Sequence, residues 1–349
     1  MDTKKYIFIK NKFWAIILVA QFSLFYILSK IDFAVDFFSN LYEWKKNFHI
    51  LIFSKFGFSV GDVIYTIVSL YLIYGIINLI RKRKSETLRQ LFIVINVSYF
   101  LYQCLWGMLY FQTPIIEKLP KKSITDTDLK NLTIKYLNLC KQTREKVSED
   151  KNGIFIIKDV RRIEKEILQL QQVLPSQISS KKPVSQLSLK PSLYSKIMNY
   201  TGILGYYNPF TAESQYNPNL PSSQVPFTLA HEMSHQLGFA REQEASFIAY
   251  LCAKSSGNLD LQYSAQLYVL KSLLRNLSIK DERFVKDILS KYSDKMKKDR
   301  KNELMFFTKH EGLLSDVFGF TNDLFLKSNQ QDGSITYSYF VTLLVIYEA

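Results

Sequence analysis

Three long apolar runs dominate the first third of the chain: "FWAIILVAQFSLFYILSKI" from Phe13, "VIYTIVSLYLIYGIINLI" from Val63, and "LFIVINVSYFLYQCLWGMLYF" from Leu91. Each holds about 18 to 21 residues with almost no charge, enough to cross a hydrocarbon core as a helix. A buried helix of a water-soluble protein would show polar residues at helical spacing, and these runs have too few. The pattern predicts three transmembrane helices, over about 13–31, 61–80 and 91–111. The first reads as an uncleaved anchor. It is long for the apolar region of a signal peptide, and Ser29-Lys30-Ile31 follows where a small-x-small cleavage site belongs.

After Phe111 the pattern changes to amphipathic segments, and residues 112–349 read as one outer domain. Asp126 or Asp128 can cap a helix whose apolar residues Leu129, Leu132, Tyr136, Leu139 and Cys140 recur at three and four. A second helix follows from about Lys158 to Leu174, and "PSQISSKKPVSQLSLKPS" reads as a polar connector. "GILGYYNPFTAESQYN" predicts two short strands around a turn at Asn208-Pro209. A helix of about twelve residues comes next, with Pro226 near its start and Gly238 just past its end. Another runs from Ala240 to about Lys254. Lys-rich helices continue as far as Asn302, and a last apolar helix covers about Tyr337 to Tyr347. That helix is too short to span, so it should pack on the domain or against the bilayer surface. The fold class is α+β and mostly helical, with three N-terminal transmembrane helices and a small β-sheet in the outer domain.

Charge orients this arrangement. Residues 1–111 carry 13 Lys and Arg against 6 Asp and Glu, clustered at Lys4, Lys5, Lys10 and Lys12 and at Arg81-Lys82-Arg83-Lys84. The positive-inside rule puts both clusters in the cytoplasm, with the Asp32 to Gly61 loop and everything after Phe111 on the other side. The outer domain has 32 basic against 25 acidic residues. No finger, helix-turn-helix or stacking-aromatic motif supports a nucleic-acid partner, and Lys-rich helices beside an anionic bilayer account for the excess. Of three cysteines, Cys104 lies in a span, and Cys140 and Cys252 read as buried thiols rather than a disulfide.

The chemistry concentrates in "PFTLAHEMSHQLGFAREQEASFIAYL", residues 226–251. His231 and His235 are two of only four histidines and lie four apart, so they share a helix face while Glu232 points to one side. By composition alone such an HExxH string would arise in roughly one or two chains of this kind in a thousand. Two imidazoles can take one zinc ion, with the carboxylate held beside it as general base. Two candidates for a third donor lie on the next helix. Glu242 heads a stripe of small residues, Ala245, Ser246, Ala249 and Ala253, that lets two helix axes approach. Glu244 is the alternative, on the bulkier stripe with Phe247, Ile248 and Leu251. "EQEAS" resembles the E-x-x-[AS]-[DN] pattern of zinc peptidases, with Ser246 where Asp or Asn usually supports a histidine. Gly238 also fits a metzincin string, but Arg241 would occupy its third-ligand position and cannot bind zinc.

These motifs, the three spans and the late "GSITYSYFVTLLVIY" together resemble the bacterial membrane family called domain of unknown function 3810. The resemblance implies a zincin-like domain anchored in the bacterial inner membrane, its outer domain periplasmic or extracellular. In a peptidase of this type Glu232 would serve as general base and Tyr263, His310 or Tyr337 could stabilise an oxyanion. Gly205, Tyr206 and Tyr207 would form an edge strand pairing with extended peptide or protein substrate. The competing reading is a catalytically inactive sensor or scaffold, but a structural zinc site needs no general base and is usually closed by four ligands. Topology is directly testable: with cysteine reagents applied outside intact cells, a probe near Lys181 should label and one at Arg83 should not. The reverse result overturns the orientation.

Overall fold

The computed structural model describes residues 3–82, 85–329, 331–332 and 339–348. Its first four helices are α1 (Thr3–Leu28), α2 (Asp32–Phe53), α3 (Val60–Lys82) and α4 (Ser85–Leu105). Three stretches are long and apolar enough to cross a membrane: Asn11–Leu28, Val60–Arg81 and Glu86–Leu105. Only 6%, 6% and 11% of them is buried by protein, so most of their apolar surface is left for lipid. α1 and α3 both pack on α4. Asn96, inside this bundle, is satisfied by Gln21 at 3.0 Å and by the Phe92 and Trp14 carbonyls, as a polar group in a span must be.

Two expectations about this region are corrected. The third apolar run does not stay helical to Phe111. Trp106 leaves helical dihedrals, and Gly107–Phe111 forms a 3-10 turn whose Met108, Leu109 and Tyr110 are buried against protein. The stretch Asp32 to Gly61 is not a loop, because residues 32–53 are the helix α2, 22 residues long. Val35, Phe38, Tyr42, Lys46 and Ile50 form its buried side. Apolar residues on its opposite side blur the amphipathic pattern, which is why sequence reading passed over it. Tyr42, Trp106, Leu109, Tyr110 and Ala240 share one cluster, so packing crosses the expected division at residue 111.

The remaining chain forms α5 (Asp126–Arg144), α6 (Val160–Leu170), β1 (Leu189–Pro191), α7 (Ser195–Thr201), β2 (Gly205–Asn208), β3 (Glu213–Tyr216), α8 (Val225–Leu237) and α9 (Glu242–Lys254). It closes with α10 (Leu259–Ser278), α11 (Glu282–Ser290), α12 (Asp294–His310), α13 (Leu313–Ser328) and α14 (Tyr339–Glu348). The cap of α5 is Thr125 rather than Asp126 or Asp128, with Asp128 answering from N3 to complete a capping box. Cys140 and Cys252 are buried free thiols. α14 packs on α9 and α10 through Phe340, Leu343 and Leu344, which places it on the domain rather than on lipid.

The sheet order is β1-β3-β2, with β1 parallel and β2 antiparallel to β3. β1 lies inside the stretch read as a connector; three residues are too few for an alternating pattern to register. One sheet face packs on α8, where Ser214 Oγ donates to the Glu232 carbonyl at 2.8 Å. The other meets the turn between α2 and α3. There Lys190 Nζ donates to the Phe53 and Phe58 carbonyls at 2.7 and 2.9 Å and pairs with Glu213. Glu213 also accepts from the Val60 and Gly61 amides at 3.2 and 2.6 Å, a carboxylate on the first turn of a span. The sheet is thereby riveted to the place where α3 begins.

Candidate metal centre

α8 ends where the sequence says it must. Gly238 adopts φ +117°, and a Cβ there would stand 3.0 Å from the Tyr42 ring, so only glycine fits both the backbone and the neighbour. The Phe239 amide donates back to the Ser234 carbonyl and the chain turns at once into α9. Ala245, Ala249 and Ala253 are fully buried along the contact between the two helices. Glu242, at the head of that stripe, faces the histidines.

Three donors converge. His231 Nε2 and His235 Nε2 are 3.1 Å apart, His231 Nε2 is 3.2 Å from Glu242 Oε2, and His235 Nε2 is 3.5 Å from Glu242 Oε1. Two ligand atoms at about 2.0–2.1 Å from a tetrahedral zinc lie roughly 3.3 Å apart, so the observed triangle has the size of one face of that tetrahedron. Among the described residues these three form the cluster able to hold a metal ion. Each imidazole is oriented through its other nitrogen. His235 Nδ1 donates to the Phe239 carbonyl at 2.7 Å, and His231 Nδ1 lies 3.1 Å from Ser246 Oγ, which in turn lies 3.1 Å from the Tyr268 hydroxyl. Ser246 thus occupies the supporting position expected of it, with Tyr268 behind it.

Glu244, the alternative third donor, is elsewhere. Its Oε1 accepts from the Ile115 amide at 2.8 Å and pairs with Arg241, which ties the segment after α4 to α9. Of the two carboxylates, Glu242 is the one that converges on the histidines.

Glu232 is buried, and its Oε2 has no hydrogen-bond partner. Its side chain lies directly under β2: a Cβ on Gly205 would meet Glu232 Cγ and Oε1 at 2.6 Å. β2 is an edge of the sheet, so the proposed Gly205, Tyr206 and Tyr207 strand does border this carboxylate. Tyr207 packs its ring 4.6 Å from Trp106, and Trp106 sets its ring 6.0 Å from His235. Tyr206 is held from the opposite face by Asp62 and Ser192.

Of the three expected oxyanion donors, the two among the described residues do not gather here. Tyr263 donates to Asp299 at 2.7 Å inside the core, where Asp299 also receives Arg144. His310 bonds the Phe306 carbonyl and meets the Tyr200 ring, away from the histidine pair. Tyr337 lies outside the described residues. Tyr42, Lys46 and Trp106 are the contributors that sequence reading missed, because they come from segments assigned to a loop and a span. Tyr42 Oη donates to the Gln236 carbonyl at 2.8 Å, with the His235 carbonyl at 3.2 Å, and Lys46 Nζ donates to the Leu237 carbonyl at 2.9 Å.

The electrostatics of the metal-free cluster follow from burial and one shared charge. Burial pulls the His235 imidazolium down, but the Glu242 carboxylate outweighs it and pushes His235 up to about 9. Burial lowers His231. Burial opposes ionisation of Glu242, yet the two histidines hold it well below the usual carboxylate range. Desolvation pushes Glu232 up to about 8. The same carboxylate that favours a protonated His235 would favour a cation at the triangle.

The arrangement defines a class before it defines a family: a helical membrane protein with an HExxH pair, half-buried at His231 and buried at His235, and a carboxylate meeting it from the next helix. The chain belongs to the family described as protein of unknown function (DUF3810), which it matches over residues 37–345. The match begins inside α2 and takes in α3 and α4, as the packing does. No curated protein and no solved structure matches the chain. One expectation concerns the cluster without metal. After chelation, the His235 imidazole should titrate near pH 9 by nitrogen-resolved NMR, protonated below and neutral above. Glu242→Gln should lower that midpoint, since burial is then opposed only by the Glu232 carboxylate and the Phe239 hydrogen bond. A midpoint unchanged by the substitution would refute the coupling.

Proposed function

We propose that this protein is a membrane-anchored, zinc-dependent peptidase with a zincin-like site, acting on peptide or protein on the extracytoplasmic side of the bacterial inner membrane. One observation carries the reading: three donors spaced as a zinc-binding face beside a buried glutamate whose Oε2 has no partner. A structural site would not keep an unpartnered buried carboxylate, which costs about 1–3 kcal/mol or more. That cost argues against the inactive sensor or scaffold.

His231, His235 and Glu242 would hold the ion, and the donor spacing fits it. When bound, zinc supplies Lewis acidity and lowers the pKa of water in its open position. Glu232 is placed to accept a proton at Oε2 and return it to a leaving amine. Its carboxylate is pushed up to about 8 without a cation, and a divalent charge nearby would favour the ionised, proton-accepting form. β2 would align extended substrate by strand pairing, and Gly205 lets the strand itself lie against Glu232. Phe239 and Ser246 would keep both histidine Nε2 atoms turned inward.

The test separates metal from catalysis in the purified full chain. Glu232→Gln should keep one bound zinc and lose about 10²–10⁴-fold in cleavage of a peptide library. His231→Ala and His235→Ala should each lose the metal. Zinc retained by both histidine variants, or cleavage undiminished in Glu232→Gln, ends the proposal. The third ligand has its own contrast. Glu242→Ala should weaken zinc binding by more than the roughly 10–100-fold typical of losing an outer support. Glu244→Ala should leave zinc in place and lower stability by about 1–3 kcal/mol, because the Ile115 amide loses its partner.

A further inference from the structure

α2 has a second face that the metal centre does not use. Phe33, Phe37, Trp44, Phe48 and Leu51 are 50–82% exposed and fall within about 60° of one another around the helix axis. The residues it buries against protein, Val35, Phe38, Tyr42 and Lys46, lie on the opposite side. Single exposed apolar residues are ordinary, but four aromatics and a leucine on one side of a 22-residue helix, with Asn40 the polar residue among them, are not.

Chain connectivity says what covers it. α1 ends at Leu28 and α2 begins at Asp32; α2 ends at Phe53 and α3 begins at Val60. A chain that crosses a bilayer through α1 and returns through α3 leaves both ends of α2 on one side of it. Both ends then sit within a few residues of the bilayer surface, so the helix must run along that surface. Its buried face is already occupied by protein, which leaves the aromatic stripe toward lipid.

α13 repeats the pattern from a different part of the chain. Leu313, Val317, Phe320 and Leu324 are 49–80% exposed and also lie within about 60° of one another. Leu326, which is buried, lies roughly 200° around the axis from that stripe. The C-terminal end of α13 is fixed to a span: Tyr102 donates to Asn329 at 2.9 Å, and its ring meets Phe325 edge-on. Tyr102 is three residues before the end of the Glu86–Leu105 stretch, about 4–5 Å along the helix from its end. In-plane amphipathic helices bury their apolar face about 5–10 Å into a leaflet, so the anchoring depth agrees.

We propose that α2 and α13 are in-plane helices whose apolar stripes are seated in one leaflet of the bilayer, the leaflet next to the candidate metal centre. The occupant is the lipid acyl region. Tyr42 and Lys46, on the protein side of α2, bond the last carbonyls of α8. The His231–His235–Glu242 cluster is therefore separated from lipid by about one helix diameter, on the order of 10 Å.

The test uses the full chain with Cys104→Ser, since Cys140 and Cys252 are buried. Single cysteines at Phe37, Phe48, Phe320 and, as a water-exposed apolar control, Ile279 each carry a small environment-sensitive fluorophore. The protein is reconstituted into phosphatidylcholine–phosphatidylglycerol vesicles, with or without lipid bearing a nitroxide high on its acyl chain. Labels at 37, 48 and 320 should be quenched by the nitroxide at least about threefold more than the label at 279, and aqueous iodide should show the reverse order. Iodide reaching the three stripe positions as readily as 279 overturns the proposal. Protection from both quenchers also overturns it, because a second copy or another protein then covers the stripes. Lipid quenching at 37 and 48 with iodide quenching at 320 removes α13 from the bilayer and retains α2.

Discussion

The end of α8 is the point on which the rest of the structure depends. A helix leaves its last carbonyls without internal partners, and a buried end must find them elsewhere. Here the partners are the Tyr42 hydroxyl and the Lys46 ammonium of α2, which reach the Gln236 and Leu237 carbonyls. A positive group at a helix C-terminus also suits the helix dipole. His235 lies in this last turn, so these contacts hold the backbone that carries it while the Phe239 carbonyl orients its ring. Each buried carbonyl left unpaired would cost about 1–3 kcal/mol, a large share of a domain's net stability. The helix after the first span is thus part of the site's scaffold and not a tether to it.

The sheet extends the same logic. Its face toward α8 brings Gly205 against Glu232, while its other face is bound to the α2–α3 turn through Lys190 and Glu213. Both are buried charges, and each is matched by the other and by backbone groups, the condition under which burial is tolerated. The carboxylate of Glu232, the edge strand over it and the start of α3 are linked by two layers of side chains. A segment that reads as connector, strand and span in the sequence is one mechanical unit.

The cluster itself is a case of competing occupants. His231, His235 and Glu242 approach one another closely enough that something positive must lie among them, either a proton or a cation. Without a metal, the Glu242 carboxylate favours the protonated His235 imidazolium more than burial disfavours it. Binding of a cation would displace that proton, so affinity and pH are coupled by the geometry of the triangle. Glu232, with no charged partner in hydrogen-bond contact, is left to respond to whichever occupant is present.

Much of this was legible in the chain because it is local. Spans follow from unbroken apolar runs, α8 from Pro226 and Gly238, the shared histidine face from a spacing of four, and the placing of Glu242 on the side of α9 toward α8 from the alanines behind it. Those features depend on helix periodicity, which acts between residues a few positions apart. What only the tertiary structure decided is long-range. Tyr42 and Trp106 meet His235 from segments that sequence reading gave to a loop and a span, and Tyr263 and His310 prove to be occupied elsewhere. Glu244 is claimed by the Ile115 amide. A tyrosine, tryptophan or glutamate carries the same local pattern whether it lines a core, a site or a bilayer, and only the partner brought to it by folding distinguishes these roles.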